Sequence, residues 1–487
     1  MPTLSIQKTA LKFIALMCAL AFLGVWVYFK GQAILVFAGV AVGLWILSYY
    51  LEWGWYVLVA LSPFINWEIY LGGYRKLFEN YPLIARMHAP AVEFWAVLLL
   101  IAFGLNLVRR ILLGQGFSLK FPLWKYFALF VLSAFVSIIN LAPWDKSGGV
   151  KYILHFILLF YFGYLMLGAN IISSKKIWES SLKILVGAGL LSAVMGLASL
   201  IMGMWQYGGF RRAVPFALGS WMPLGDQHIF LAEVLTVAFP IAVYFWYKNR
   251  LSKFWFVSAL FILIIGLLTL SRAGWITFLV EAIVLWFIFR SRINWSEAAE
   301  KWWWLLVIFV PIVAYLGYFL LTSSTVSSSN SARMEITRIA WYYSLRHPLI
   351  GNGVGGFVNI VGENRAFILD FGDPTDALGI VQKLSAEMGL LGIITFGLFI
   401  GMILKRVSGG MSSIVILSGS EESLKQSRRD PSASPQDDRL FTPEKLLCLF
   451  LVLSPLIFQL FNTQFYSSKM WVPIALAVAY QGIKNKE

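Results

Sequence analysis

Four arginines carry the clearest chemical potential in this sequence: Arg211, Arg212, Arg272 and Arg338. Each is predicted to lie at the outer surface of the membrane, opposite the basic loops, where arginine is scarce. A guanidinium group is a planar donor that binds phosphate oxygens in pairs. These positions therefore predict an anionic ligand, and a lipid-linked phosphate or pyrophosphate fits that description in a membrane protein.

A histidine accompanies two of these arginines. His228 lies two residues after Asp226, at the predicted outer end of an apolar run and within reach of Arg211 and Arg212. An unperturbed pKa of about 6.5 lets a histidine carry protons near neutral pH. A hydrogen-bonded histidine at the membrane interface has the same sequence signature, so both interpretations stay open.

The composition predicts the environment that positions these residues. Hydrophobic residues make up 59% of the 487 residues and charged residues only 13%, against about 25% charged residues in soluble domains. The net charge of +15 is spread over short loops between apolar runs, which indicates membrane topology rather than nucleic-acid binding. Cys18 and Cys448 lie far apart in apolar runs and indicate neither a disulfide nor a metal site. No metal and no cofactor are predicted.

The apolar runs predict about fourteen membrane spans. Basic residues fall in alternate loops, so both termini are predicted to be cytoplasmic. The third run is short and is predicted to be re-entrant or tilted. The runs lie near residues 11–29, 32–50, 53–66, 91–108, 122–142, 150–169, 181–204, 229–247, 253–270, 273–289, 303–321, 387–404, 444–462 and 466–482.

The predicted fold class is an all-α polytopic membrane protein of about 12–14 transmembrane helices with one large external loop. Residues 1–180 would form N-terminal spans and 181–321 the core spans that carry the arginine sites. Residues 322–386 would form the large external loop and 387–487 the C-terminal spans. A Ser- and Pro-rich stretch near 407–440 has the composition of a disordered cytoplasmic insertion.

The predicted external loop contains an amphipathic stretch, Ile336 to Leu349, followed by the glycine-rich GNGVGGF at 351–357. The glycine pattern is similar to a phosphate-cradling loop but lacks the Lys-Ser/Thr pair of nucleotide-binding loops. A sharp turn that ends a helix is the simpler interpretation.

Several segments in order resemble the O-antigen ligase and polymerase family of bacterial membrane enzymes. They are TLSRAGW at 269–275, IAWYYSLRHPLIGNGVGGF at 339–357 and QKLSAEMGLLGIITFGLF at 382–399, and RRAVPFALGS at 211–220 resembles the family's first arginine site. The resemblance implies a glycosyltransferase C-like membrane fold in the bacterial inner membrane. It also implies metal-independent, inverting transfer of a glycan from undecaprenyl pyrophosphate to a hydroxyl acceptor on the outer face.

The resemblance further implies roles for the arginines. Arg212 (or Arg211) and Arg272 would clamp the donor pyrophosphate as leaving group, with Arg338 as a third candidate. Fixed guanidinium groups would stabilise the charge that builds on the departing oxygen. The implied partners are the lipid-linked glycan donor, a glycan, lipid or protein acceptor, and membrane lipids.

The general base is the point where the sequence departs from the family. Ligases carry a histidine shortly before the Glu-x-Gly that opens the span after the large loop. The corresponding residues here read DPTDALGIVQKLSAEMG (373–389), with no histidine. Asp376 is the nearest proton acceptor there, and His228 is the other candidate catalytic residue. A polymerase, a polysaccharide flippase or exporter, and an inactive scaffold therefore stay open as alternatives.

Overall fold

The computed structural model describes residues 33–70, 88–116, 118–204, 206–207, 210–217, 221–249, 252–289, 314, 317–318, 324–408, 442–463 and 467–484. The predicted first span, nearly all of the span at 303–321, Cys18 and nearly all of the stretch 407–440 lie outside these residues.

The described residues form helices joined by short connections, with two small hairpins. The helices are α1 (Ala33–Tyr49), α2 (Leu51–Leu61), α3 (Ala91–Leu112), α4 (Trp124–Ser137), α5 (Lys146–Ile171), α6 (Lys175–Met202), α7 (His228–Lys248), α8 (Lys253–Leu268), α9 (Arg272–Phe289), α10 (Ser324–Arg346), α11 (Phe357–Glu363), α12 (Arg365–Phe371), α13 (Ile380–Val407), α14 (Pro443–Gln459) and α15 (Ser468–Lys484). A π-helical stretch, Phe156–Met166, interrupts α5, and a short 3₁₀ turn, Ile138–Asn140, follows α4. The strands are β1 (Glu68–Tyr70), β2 (His88–Pro90), β3 (Gln206–Tyr207) and β4 (Phe210–Arg211).

The hairpins are antiparallel. In the first, Glu68 pairs with Pro90 and Tyr70 with His88. In the second, Gln206 pairs with Arg211 and Tyr207 with Phe210. Each is short, so the sheets bring chain segments together at helix ends but contribute little to the core.

The fold-class prediction of an all-α polytopic membrane protein is confirmed. Every predicted run apart from 11–29 and 303–321 coincides with described helix. By length and composition, five of the described helices could cross a membrane: α3, α5, α6, α7 and α13. A sixth span is possible if α1 and α2 count as one, although residues Gly39–Tyr49 and Leu51–Leu61 meet at an angle of 106°. The bend lies between the second and third predicted runs, directly before the run that is predicted to be re-entrant or tilted.

Helix α7 lies at the centre of the bundle and packs against α6, α8, α9 and α14. Small residues allow the close approach of α6: a Cβ built on Gly189 would lie 2.4 Å from the Cβ of Ala238. Without a hydrophobic driving force between helices in lipid, such close packing is a main source of association. The central position of α7 matters for the site because His228 is its first residue.

Helix ends are set by local sequence signals. Ser174 accepts a hydrogen bond from the amide of Ile177 and caps α6, and Gly203 (φ +62°) ends it in the left-handed conformation. Thr442 caps α14 in the same way, with Pro443 at its first position. Because α6 has fixed ends, the connection that follows Gly203 starts from a defined place.

Candidate active site

Arg212 lies on the connection between α6 and α7, which is hydrogen-bonded to the ends of α6 and α8. The amide of Ala213 donates to the carbonyl of Leu268 at the end of α8 (2.9 Å). The hydroxyl of Ser199 on α6 donates to the carbonyl of Val214 (2.6 Å) and accepts from the Val214 amide (3.0 Å). These bonds fix the backbone on the C-terminal side of Arg212, so the guanidinium group starts from a rigid base.

Arg272 opens α9 immediately after a tight turn. Leu270 has a positive φ of 54°, which is uncommon for a residue with a side chain and reverses the chain sharply between α8 and α9. Ser271 caps the new helix by accepting a hydrogen bond from the Gly274 amide (3.3 Å). A Cβ on Gly274 would lie 3.2 Å from the Cβ of Ala232, so glycine lets α9 approach α7 closely. The TLSRAGW segment therefore places Arg272 at the end of the bundle.

Helix α10 brings a further arginine to the same place. Arg272 Nη1 donates to Asn330 Oδ1 (2.6 Å), and Arg333 lies one turn further along α10 than Asn330. Burial, followed by the positive charge of Arg272, lowers the pKa of Arg333 from its ordinary value. The two guanidinium groups are thus close enough to repel each other.

His228 joins these arginines. Its Nε2 lies 3.5 Å from Arg212 Nη1, and the charges of Arg212, Arg333 and Arg272 all act on its ring. Its Nδ1 is buried and has no hydrogen-bond partner among the described residues. A buried ring nitrogen without a partner is costly in a folded protein unless a ligand satisfies it. Arg212, His228, Arg272 and Arg333 are called the arginine cluster below.

The cluster is strongly cationic. Within the described part of the chain, no Asp or Glu forms an ion pair with Arg272 or Arg333. Like charges held together without neutralisation raise the free energy of the empty site, and an anion with several oxygens lowers it. The arrangement can therefore bind and stabilise a group such as a diphosphate.

The other two predicted arginines lie apart from this cluster. The side chain of Arg211 is exposed and packs over Gly203, with Nη1 donating to the carbonyl of Ile201 (3.4 Å). The side chain of Arg338 is 82% exposed and lies 3.6 Å from Glu335 on the same helix. At 3.6 residues per turn, Arg338 is about 140° around α10 from Arg333. Arg211 is thus held at the end of α6, and Arg338 lies beside Glu335 on its own helix.

Asp376 is engaged in a separate, buried charge network. Both of its oxygens accept from Lys383 Nζ, at 2.7 and 2.5 Å, and one also accepts from the Ala377 amide (2.8 Å). Lys383 also lies 3.7 Å from Glu387, and the side chains of Lys383 and Glu387 are only 3% and 1% exposed. Asp376, Lys383 and Glu387 are called the carboxylate–lysine network below.

The glycine-rich stretch 351–357 docks onto a break in α13. Gly389 has φ +62° and ψ −157°, so α13 is interrupted there. The amides of Asn352 and Gly353 donate to the carbonyls of Ala386 and Glu387, which have lost their usual helical partners. In return, the amides of Leu390 and Leu391 donate to the carbonyls of Pro348 and Leu349.

This exchange of backbone hydrogen bonds explains why glycine is needed at these positions and why the chain turns sharply at 351–357, as predicted. A Cβ on Gly389 would lie 2.6 Å from the Leu349 carbonyl carbon, and one on Gly351 would lie 2.3 Å from that of Glu387. The side chain of Glu387 accepts from the amide of Phe357 (3.1 Å). Because these amides bond to protein groups, they are not available to cradle a phosphate.

Neither Arg333 nor Asn330, which accepts the hydrogen bond from Arg272, is identified from the sequence. The amphipathic pattern was read from Ile336, whereas α10 begins at Ser324. Arg333 precedes the buried Ile336 by three residues and the buried Ala340 by seven, which places it near the buried face of the helix. Extending the helical pattern backwards by one turn brings Arg333 into the predicted helix, next to its buried face.

The fold and this cluster together define a polytopic membrane protein with a cationic site at one end of its helical bundle. Residues 257–397 match the family model described as O-antigen ligase. Over these residues the chain is similar to the O-antigen ligase family, which confirms the resemblance and indicates a membrane function of the ligase or polymerase type. The matched range contains Arg272 and Arg333, while Arg212 and His228 precede it. No curated protein matches the sequence significantly.

Proposed function

We propose that this protein transfers a glycan from a polyprenyl-pyrophosphate donor to a hydroxyl acceptor, and that the arginine cluster binds the donor diphosphate. The convergence of Arg212, Arg272 and Arg333 on His228 carries this proposal. These side chains come from separate segments of the chain, so their meeting is a property of the fold rather than of one basic stretch.

The chemistry fits a diphosphate leaving group. In the proposed step, the acceptor oxygen forms a bond to the anomeric carbon from the face opposite the donor oxygen, which inverts the configuration. The bond from the anomeric carbon to the diphosphate oxygen breaks, and its electron pair stays on that oxygen. Three guanidinium groups held by the protein would stabilise this charge, and such preorganised charges act without reorganisation cost at the moment of reaction.

The acceptor proton needs a base within hydrogen-bond reach. His228 fits this role better than Asp376, because His228 Nδ1 is without a partner among the described residues. Both oxygens of Asp376, in contrast, bond to Lys383. In this proposal His228 accepts the acceptor proton while the neighbouring arginines hold the departing diphosphate.

A matched pair of variants on one helix tests the site. Arg333→Ala removes a cluster guanidinium, and Arg338→Ala removes an exposed one of the same charge from the same helix. With purified protein and a radiolabelled lipid-linked oligosaccharide donor, the released polyprenyl pyrophosphate is measured per mole of folded protein. We expect Arg333→Ala to lower transfer by about 100-fold or more and Arg338→Ala to change it less than about twofold.

Equal activity of the two variants would refute the assignment of the cluster. The same assay separates transfer from transport: a flippase moves the donor across a vesicle membrane without releasing polyprenyl pyrophosphate. Release that requires an added hydroxyl acceptor supports transfer. Donor movement without any release contradicts the proposal as a whole.

A further inference from the structure

A polar cavity lies at the other end of α6 from the arginine cluster. Its volume is about 640 Å³, and it opens where α1 and α2 meet at their sharp bend. Lining residues come from four places: the bend, α3, the turn before α4 and the end of α5. Helix α6 begins at Lys175, next to the cavity residue Ser173, and runs for 28 residues. At 1.5 Å per residue it separates the two sites by about 40 Å.

The walls of this cavity are fixed by hydrogen bonds. Asn106 Nδ2 donates to the carbonyl of Ser48 (2.6 Å) and ties α3 to α1. Asn170 Oδ1 accepts from the Lys120 amide (3.0 Å), and its Nδ2 donates to the Lys120 carbonyl (2.9 Å). This reciprocal pair holds the backbone of Lys120 against α5. The cavity is therefore a built site rather than a gap between loose loops.

Positive charge dominates the lining. Arg109, Arg110 and Lys120 line the cavity together with one carboxylate, Glu52. The side chain of Glu52 is exposed and interacts with the positive charge of Lys176. The lining thus has an excess of positive charge, which favours an anionic occupant.

One guanidinium nitrogen in this lining has no hydrogen-bond partner among the described residues. The Arg109 guanidinium stacks on the ring of Tyr49, with Cζ 3.7 Å from the ring centroid. Its Nη1 is buried and makes no hydrogen bond within the described part of the chain. A buried charged donor without an acceptor is costly, and the stacking on Tyr49 keeps the planar group in place. An anionic oxygen in the cavity would satisfy it.

The surroundings indicate a lipid headgroup as the source of that oxygen. Tyr49, Tyr50 and Trp53 line the same cavity, and Tyr and Trp are enriched at the level of lipid headgroups. Basic pockets between membrane helices bind anionic headgroups, and the volume is large enough for one glycerophosphate group. We infer that this cavity binds the phosphate of an anionic phospholipid through Arg109, Arg110 and Lys120.

Native mass spectrometry of the full-length protein in detergent tests this inference without any glycan donor. The protein is titrated with dioleoyl-phosphatidylglycerol and, separately, with dioleoyl-phosphatidylcholine. We expect the wild type to bind the anionic lipid about tenfold more tightly than the zwitterionic one. Arg110→Gln with Lys120→Gln should lower the affinity for the anionic lipid by about tenfold. Arg110 is exposed, so its replacement spares the core.

Two controls make the result decisive. Lys253→Gln removes a cation that is exposed and lies outside the cavity lining, and should leave lipid binding unchanged. Arg109→Lys keeps the charge but loses the planar stack on Tyr49, and should weaken binding by a few-fold. Equal binding of both lipids by the wild type, or an equal loss in Lys253→Gln, would overturn the inference. Displacement of the lipid by millimolar inorganic phosphate would overturn the lipid assignment.

Discussion

The arginine cluster and the carboxylate–lysine network show two opposite ways of placing charge inside one protein. In the network, the buried Lys383 lies between the carboxylates of Asp376 and Glu387, and backbone amides satisfy further oxygens. In the cluster, Arg212 contacts His228, the charges of Arg272 and Arg333 also act on that ring, and neither Arg272 nor Arg333 has a carboxylate partner among the described residues.

The difference indicates which region is built for the protein itself and which for a ligand. In the network one lysine pairs with two carboxylates, and Glu387 also joins the docked loop 351–357 to α13, so we propose that its contribution is structural. In the cluster, Arg272 and Arg333 have no carboxylate partner among the described residues, so we propose that this region is kept for an anionic ligand whose binding compensates for the repulsion. Three predictions test this contrast, from the largest expected effect to the smallest.

The largest effect is expected from the proposed base. His228→Gln removes the proton acceptor but keeps a polar side chain, and we expect transfer to fall by about 100- to 10,000-fold. Asp376→Asn, in the network, should change transfer by only a few-fold because Lys383 already occupies both carboxylate oxygens. Initial rates of donor turnover with saturating acceptor measure both. If Asp376→Asn lowered transfer more than His228→Gln did, Asp376 rather than His228 would be the base.

The next effect concerns stability. Lys383→Met keeps the side-chain volume but leaves the buried Glu387 without its lysine, and we expect a loss of about 3–5 kcal/mol in stability. Thermal melting in detergent should show a clear decrease, while specific activity of the remaining folded protein stays near the wild-type value. An unchanged melting temperature with lost transfer would place Lys383 in the catalytic chemistry instead.

The third effect is the reverse of the second. Arg272→Ala removes a guanidinium from the cluster, and we expect transfer to fall by about 100- to 1,000-fold, or about 2.7–4 kcal/mol of transition-state stabilisation. The melting temperature should stay the same or rise, because the mutual repulsion of Arg272 and Arg333 is relieved. A large decrease in melting temperature would show that Arg272 is structural, as Lys383 is proposed to be.

Parts of the site were readable from the sequence because they depend on local signals. Arg272 follows a capping serine at the start of an apolar helix, whereas Arg212 lies on the connection that leads to His228, the first residue of α7. Arg333 was not selected, because its helix starts earlier than the amphipathic pattern that was read. Arg338 is predicted because it lies next to the family-like segment in the sequence. The orientation of α10 about its axis decides which of its arginines lies near His228, and that arginine is Arg333.

The sequence by itself determined the helical membrane class, the positions of the apolar helices and the family resemblance, since hydropathy and short motifs are local properties of the chain. Three features follow only from the tertiary structure. Lys383 hydrogen-bonds to both oxygens of Asp376, and the glycine-rich loop bonds to the backbone groups that the break in α13 leaves free. Arg333 also lies near Arg272. These contacts join residues on separate helices or loops, and their geometry depends on packing and helix rotation, which no stretch of sequence encodes in isolation.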